Sequence, residues 1–556
     1  MKKFSVKITA MAVSFMLLAC ACSGPGTGDS SGVDSTGVSG SPSSQAGLSS
    51  SPESGPGSAS GSNSTPGSSE GTESTTSGNS HTSNPGTTST VKPNDTGNIN
   101  PSVPDNTKYD TSGQIKNLKG RTIKMASGTI QTAPGGSANS DDRLLANLRK
   151  SVETKLNCKL ESVNVTFEQM QTSILAGDPA ADIWVLNTLP DFVNAYKAKL
   201  IQPIEPLKCM NLADRTRYSS LTDLTYINGN HYGFAPQTYG AWRVALNRVL
   251  YINKSLLSSK GITASEIYKA QEDGTWTWSK FREICKKVNT PASGIYAIND
   301  ANSALYMDLL ASNQVSYVKM ENGKLSFNGS DKKAQEVMTY YQQLVADGSL
   351  KVDYDPNKGG IDIGHGGIDQ YQNNYDLNLF KEGKTAFLSA PSYLANANLF
   401  GEQMKNVGVT YCPKPDGAAQ YSSFLDHACI IAIPTYSDKD PAVAQRKAAE
   451  TATVIEALFA PYKSQSQYDA QLQREVAAFA NDSNWMKVYS TLYDRTYLSY
   501  TGIAGEVVRA DKGSSSKGWL DYIPLIAKGS VSYSSAINGE TSRYNNILKN
   551  IFTFNK

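Results

Sequence analysis

The sequence is short of the residues on which most enzyme chemistry turns. Histidine occurs four times in 556 residues; His81 lies in a low-complexity stretch, and His231, His365 and His427 are not spaced as metal ligands or triad partners. Past residue 120 there is no His-Glu-x-x-His, no Gly-x-Ser-x-Gly and no Gly-x4-Gly-Lys-Ser/Thr. Zinc hydrolysis, serine-nucleophile hydrolysis and P-loop phosphate binding therefore lack their usual scaffolds. Asp353-Tyr354-Asp355-Pro356-Asn357-Lys358-Gly359 opens like a calcium loop, but Lys358 fills the position that needs Gly and Gly364 that of the bidentate Glu. No metal and no cofactor are expected. The formal net charge is only +2, which gives no reason to expect a nucleic-acid partner. Five cysteines follow residue 120 (Cys158, Cys209, Cys285, Cys412 and Cys429), an odd number with no Cys-x-x-Cys pair. Buried single thiols are expected; a Cys412–Cys429 bridge is allowed but not required.

What is present starts at the amino terminus. Met1-Lys2-Lys3, a further base at Lys7 and an apolar run from Ile8 to Ala19 form the pattern of a secretory signal. That run is too short to cross a bilayer core of about 30 Å, which takes ~20 helical residues. It ends Leu17-Leu18-Ala19-Cys20, which resembles the bacterial lipobox, so Cys20 is the expected lipidation site and residues 1–19 the signal. Cys22 lacks the aliphatic residue expected in front of it. The alternative is an ordinary secreted protein with two spare cysteines. From there to about Thr107 the chain is Ser, Gly, Thr and Pro with hardly an aliphatic side chain, too little to offset chain entropy. Residues 20–107 read as a tether whose ends average roughly 50 Å apart. Together these features imply a domain held by lipid on the outer face of a bacterial cell membrane.

The remainder, from about Gly120, is long enough for two lobes. Thr122–Ala126 reads as a strand, and Asp141 caps a helix with Leu144, Leu145, Leu148, Val152 and Leu156 on one face. A strand at 159–166 and a helix at 167–176 follow, the helix stopped by Gly177-Asp178-Pro179. Asp182–Leu186 is nearly all apolar, as a strand covered on both faces must be, and a helix follows from Leu189. Strand and helix alternate, so the class is α/β with mainly parallel sheet.

At this point the chain resembles the family 1 extracellular solute-binding proteins, the maltose-binding-protein-like group. Ala176–Ile183 resembles the family's approach to its third strand, and Leu200-Ile201-Gln202-Pro203-Ile204 the segment after it, with Lys199 where Gly is usual. Tyr232-Gly233-Phe234-Ala235-Pro236 resembles the crossing between lobes. Leu250–Leu257 with Gly261-Ile262, Thr277-Trp278-Ser279-Lys280-Phe281, Phe380–Phe387, and Val407-Gly408-Val409 with Pro413–Gly417 continue the match in order. The resemblance implies a two-lobed, hinged α/β body of the periplasmic-binding-protein type, not an enzyme. Lobe one would take residues 120–236 and 422–485, lobe two 237–421 and 486–556. It also implies capture of a small solute, a sugar or oligosaccharide foremost, by a monomer that delivers it to the permease subunits of an ABC importer. The rival classes are a surface carbohydrate-active enzyme, whose paired carboxylates no sequence spacing excludes, and an adhesion or scaffold lipoprotein.

Ligand in such a body belongs at the carboxyl ends of strands, with aromatic rings on sugar faces and Asp, Asn and Gln on hydroxyls. The 29 tyrosines suit that chemistry. Asn187 and Thr188 end the third strand and either contact ligand or cap the next helix. Tyr239 and Trp242 follow the crossing at Pro236, as a stacking platform or as packing. Asn299 and Asp300 follow the strand 294–298 and either meet ligand or cap a helix starting near Ala301. Tyr393 stands where the resemblance implies a sugar platform, usually Trp. Asp426 and His427 precede the apolar strand 428–433, near the recrossing to lobe one, one of them to meet ligand and the other only to finish the strand. Trp184, Trp276 and Trp278 read as structural, while Trp485 and Trp519 are open to either role.

Overall fold

The computed structural model describes most of residues 111–552; residues 1–110, 127–139, 187–188, 215–216, 237–247, 302, 322–323, 354–373, 397, 425–429, most of 460–475, 493–494, 498, 504–516 and 553–556 lie outside the described residues. The signal, Cys20, the tether and most of the calcium-like loop fall among the latter. In the first lobe, β1 (Arg121–Ala126) and β2 (Cys158–Val163) pair in parallel with Arg121 opposite Cys158. β3 (Trp184–Leu186) joins them through a parallel bridge between Met125 and Ile183. Ile123, Met125, Ile183 and Trp184 are buried, so that tryptophan is core. The strand read as far as residue 166 stops at Val163, because Thr166 is needed as a helix cap. Its Oγ accepts from the Gln169 amide at 3.2 Å while the Gln169 side chain accepts from the Thr166 amide at 3.0 Å, a reciprocal capping box for helix Phe167–Leu175.

Two of the resemblance segments have local physical reasons. Helix Leu189–Lys197 closes through Lys199, whose φ of 57° is left-handed, with its amide on the Tyr196 carbonyl at 2.9 Å and the Leu200 amide on Ala195 at 2.9 Å. That closure favours Gly, and this chain makes it with Lys. After the hairpin β4 (Tyr226–Ile227) and β5 (Asn230–His231), a Cβ at Gly233 would collide with the Ile430 side chain and the Ile431 carbonyl. Only Gly lets the chain pass there.

The second lobe is built on β6 (Arg248–Asn253), β7 (Tyr296–Asn299), β10 (Leu350–Lys351), β11 (Thr385–Pro391) and β12 (Val407–Thr410), in the order β10-β7-β11-β6-β12. β7, β10 and β11 run in parallel; β6 runs against β11 and β12. Between β7 and β10 lies the hairpin β8 (Val318–Glu321) and β9 (Lys324–Phe327). β6 is buried along its whole length, as expected of a central strand. Trp276 donates to the Tyr411 carbonyl at 2.9 Å and Trp278 stacks on Tyr340 at 4.6 Å, both buried and structural.

The chain returns to the first lobe through β13 (Ser423–Phe424) and β14 (Ile430–Ala432), which pairs antiparallel with β3, and helix Pro441–Leu458. Helix Ser483–Leu492 lies against the second sheet: Asn484 donates to the Val409 carbonyl at 2.6 Å, and Trp485 is buried 6.0 Å from the Tyr251 ring. Asn484 and Trp485, at the end of the segment the sequence reading gives to lobe one, thus pack against β12 and β6. β15 (Thr496–Tyr497) pairs with β13, and the C-terminal helix Tyr533–Lys549 holds β9 through Asn545 and Tyr544. Trp519 is buried against Phe327, so both open tryptophans are core. Cys158, Cys209, Cys285 and Cys412 are buried thiols outside any disulfide; Cys429 lies outside the described residues.

Candidate functional site

In the first lobe β3 ends at Leu186, directly before Asn187 and Thr188, and Leu186 pairs with Ile430, the first residue of β14. The segment carrying Asp426 and His427 therefore attaches at the same strand end. In the second lobe, β11 ends at Pro391, two residues before Tyr393, and Pro391 pairs with Arg248, where the segment bearing Tyr239 and Trp242 rejoins the sheet. The Ser423 hydroxyl donates to the Arg248 carbonyl at 2.7 Å, bringing the start of the recrossing to the same corner. β7 ends on that edge at Asn299. Asn187, Thr188, Tyr239, Trp242, Asp426 and His427 themselves lie outside the described residues, and of Tyr393 only the backbone, opening helix Tyr393–Asn396, is described.

Asp300 is 2% exposed and takes the capping role. Its carboxylate accepts from the amides of Ala304 (2.7 Å), Leu305 (3.1 Å) and Tyr306 (3.4 Å) and from the Tyr341 hydroxyl (2.9 Å). Four donors from the fold occupy it. The helix begins at Ala304 and not near Ala301, because Ser303 turns left-handed at φ 64° ahead of it. Asn299, 4% exposed, donates through Nδ2 to Asp376, while its buried Oδ1 has no partner. Asp376 also accepts from the Ala301 amide at 3.2 Å. Burial, and then the nearby Asp300, push the Asp376 carboxyl up to about 7. Burial raises Asp300 as well, against the donors that oppose it.

Beside this pair lies a network that sequence reasoning missed. Arg248, whose side chain is 0% exposed, donates from Nε to Asp308 at 2.9 Å and from Nη2 to the Ser389 carbonyl and hydroxyl at 2.7 and 2.8 Å. Ser389 in turn donates to Asp308. The signal was available: Arg248 is the one charge opening the apolar run Val249–Ile252, and Asp308 the one charge within helix Ala304–Ser312. Two lone opposite charges in apolar segments are best placed against each other. This edge holds hydroxyls, amides and charges already paired with one another, a rigid base for binding side chains. Among the described residues no group of three or more His, Cys, Asp or Glu can hold a metal, and no helix is long and apolar enough to cross a membrane.

The strand group around β1, β2, β3 and β14 and the five-stranded sheet around β6, each flanked by helices, with the chain passing between them more than once, define a two-lobed binding-protein fold of the maltose-binding type. Residues 148–453, more than half of the chain, match the family model described as bacterial extracellular solute-binding protein, and the chain belongs to that family. Its fold is similar to that of the cyclic α-maltosyl-1,6-maltose binding protein from Arthrobacter globiformis, with a TM-score of 0.51 at 12% identity over 78% of this chain and 100% of that one. The sugar-binding protein MalE from Xanthomonas citri matches with a TM-score of 0.49 and 15% identity over 77% of this chain and 97% of that one. A search of curated proteins gives no significant match.

Proposed function

We propose that this protein is a lipid-anchored receptor that captures a sugar or oligosaccharide between its lobes and hands it to the permease of an ABC importer. One observation carries the reading: all nine candidate residues belong to segments that attach to the sheets at Leu186/Ile430, Arg248/Pro391/Ser423 or Asn299, that is, at strand ends. Ligand held from both lobes would tip a balanced open–closed equilibrium by its differential contacts. Seven of the nine, Asn187, Thr188, Tyr239, Trp242, Tyr393, Asp426 and His427, are the proposed contacts. Asn299 contributes at most its partnerless Oδ1, and Asp300 supports the edge from beneath. We divide the lobes at 236/237 and 421/422, and the last crossing is drawn ahead of Ser483, where the chain packs on β12. Cys20 is the proposed lipid acceptor and the Ser/Gly-rich stretch the tether, and the body acts as a monomer.

Calorimetric titration of the mature protein with mono- and oligosaccharides, including the cyclic maltosyl-maltose of the Arthrobacter protein's name, tests the reading. Saturable binding without hydrolysis is expected, and Tyr393→Ala should weaken it several-fold or more with little change in melting temperature. Sugar turnover, or no sugar binding at all, contradicts it. For the anchor, membrane release on Cys20→Ser is expected; retention contradicts it.

A further inference from the structure

The peptide leading into Tyr393 is held by two buried tyrosines from distant parts of the chain. Tyr251, in the middle of β6, places its hydroxyl 3.0 Å from the Pro391 carbonyl and 2.9 Å from the Ser392 carbonyl. Tyr489, on helix Ser483–Leu492, places its own 2.7 Å from the same Ser392 carbonyl, and the two hydroxyls lie 3.5 Å apart. A phenol has one proton, so Tyr251 shares it between two carbonyls, and Tyr489 supplies the second donor that Ser392 accepts. All of these groups are buried.

The strand itself does not require this arrangement. β11 makes its last ladder pairing at Pro391, and Ser392 lies between it and helix Tyr393–Asn396. The carbonyl of Ser392 is in the peptide plane that includes the Tyr393 nitrogen, so fixing that oxygen fixes the direction in which the chain enters residue 393. Both rings are anchored independently of their hydroxyls: Tyr251 packs 4.8 Å from Phe400 and 6.0 Å from Trp485, and Tyr489 packs 5.3 Å from Phe479.

We propose that Tyr251 and Tyr489 are positioning residues for ligand capture, clamping the Pro391-Ser392 carbonyls so that the backbone enters residue 393 in one direction. This rests on the reading of Tyr393 as a ligand contact. Neither tyrosine touches ligand in this account; both act through the backbone.

Tyr251→Phe and Tyr489→Phe keep the packed rings and delete only the hydroxyls, leaving buried carbonyls short of donors. Hydrogen exchange on the full mature chain reads the clamp without any ligand. In the double variant the amides of residues 393–396 should exchange about ten-fold faster, while those of β7 and β12 keep their protection. Affinity for the best-binding sugar of the panel should fall about five-fold, with each single variant between, because positioning is lost without any ligand contact being removed. A uniform rise in exchange across the lobe would mean a merely structural role and overturn the proposal, as would unchanged exchange at 393–396. If Tyr393→Ala weakens sugar binding and the double variant does not, the clamp fails while the site stands. If Tyr393→Ala leaves affinity unchanged, the site assignment fails first, and with it the link from clamp to capture.

Discussion

Each lobe opens a strand with an arginine, and the two arginines have different surroundings. Arg121 begins β1 at the amino end of a parallel set, where it meets Asp182 and donates to Glu450 at 2.7 Å and to the Lys447 carbonyl at 2.9 Å. Its side chain is 21% exposed, and Tyr436 adds a hydroxyl to Asp182 at 2.7 Å. Arg248 begins β6, but β6 runs against β11, so the amino end of this strand lies on the edge where β11 and β7 finish. There the guanidinium is wholly buried against Asp308 and Ser389. One reversed strand moves an arginine from the far edge of a lobe to the edge where ligand is expected. The first pair ties helix Pro441–Leu458 to a sheet in partial contact with water; the second organises a dry floor beneath a proposed cleft.

The comparison predicts unequal losses. Asp308→Ala leaves a buried guanidinium short of its counter-charge and should cost about 3–5 kcal/mol in denaturant unfolding. Glu450→Ala leaves Arg121 with Asp182 and some solvent, and should cost about 1 kcal/mol or less once screening is counted. Equal losses would break the distinction between the lobes.

The second-lobe edge should also answer to pH. Asp376 has a folded pKa near 7 against about 3.9 unfolded, so its favourable share is fully present below pH ~4 and is lost as pH rises through 7. Wild-type stability should therefore fall by up to a few kcal/mol between pH ~4.5 and 8 relative to Asp376→Asn, which keeps the shape and removes the charge. Parallel stability curves for the two proteins across that range would show that Asp376 stays ionised.

Legibility in the sequence followed the distance between interacting residues. The first lobe's alternation, the burial of Trp184 and the helix from Phe167 rest on neighbours a few residues apart and could be read, whereas Thr166, which reads as the end of a strand, is the helix cap. The Arg248 network joins residues 60 and 141 apart, and no local pattern pairs them. Asp300 was legible as a cap but not as a cap reaching four residues ahead, since that depends on the left-handed turn at Ser303. The hairpin at Ile227–Asn230 carried a signal that went unread: Asn228-Gly229, with φ values of 51° and 88°, is the sequence a tight two-residue turn demands. The candidate contacts themselves sit on connectors, where neither periodicity nor pairing constrains a side chain.

A smaller change sharpens the comparison from the first lobe's side. Lys199→Gly relieves a left-handed lysine and should stabilise by about 1 kcal/mol at most, without altering sugar affinity. An affinity change there would mean that helix closure, well away from the strand ends, feeds into capture after all.

Closure itself is best tested by small-angle scattering of the mature protein, alone and saturated with its tightest-binding sugar. The account predicts a smaller radius of gyration when the sugar is bound, abolished along with binding in a Tyr393→Ala, Trp242→Ala double variant. A profile that sugar leaves unchanged while calorimetry reports full saturation would contradict capture by moving lobes.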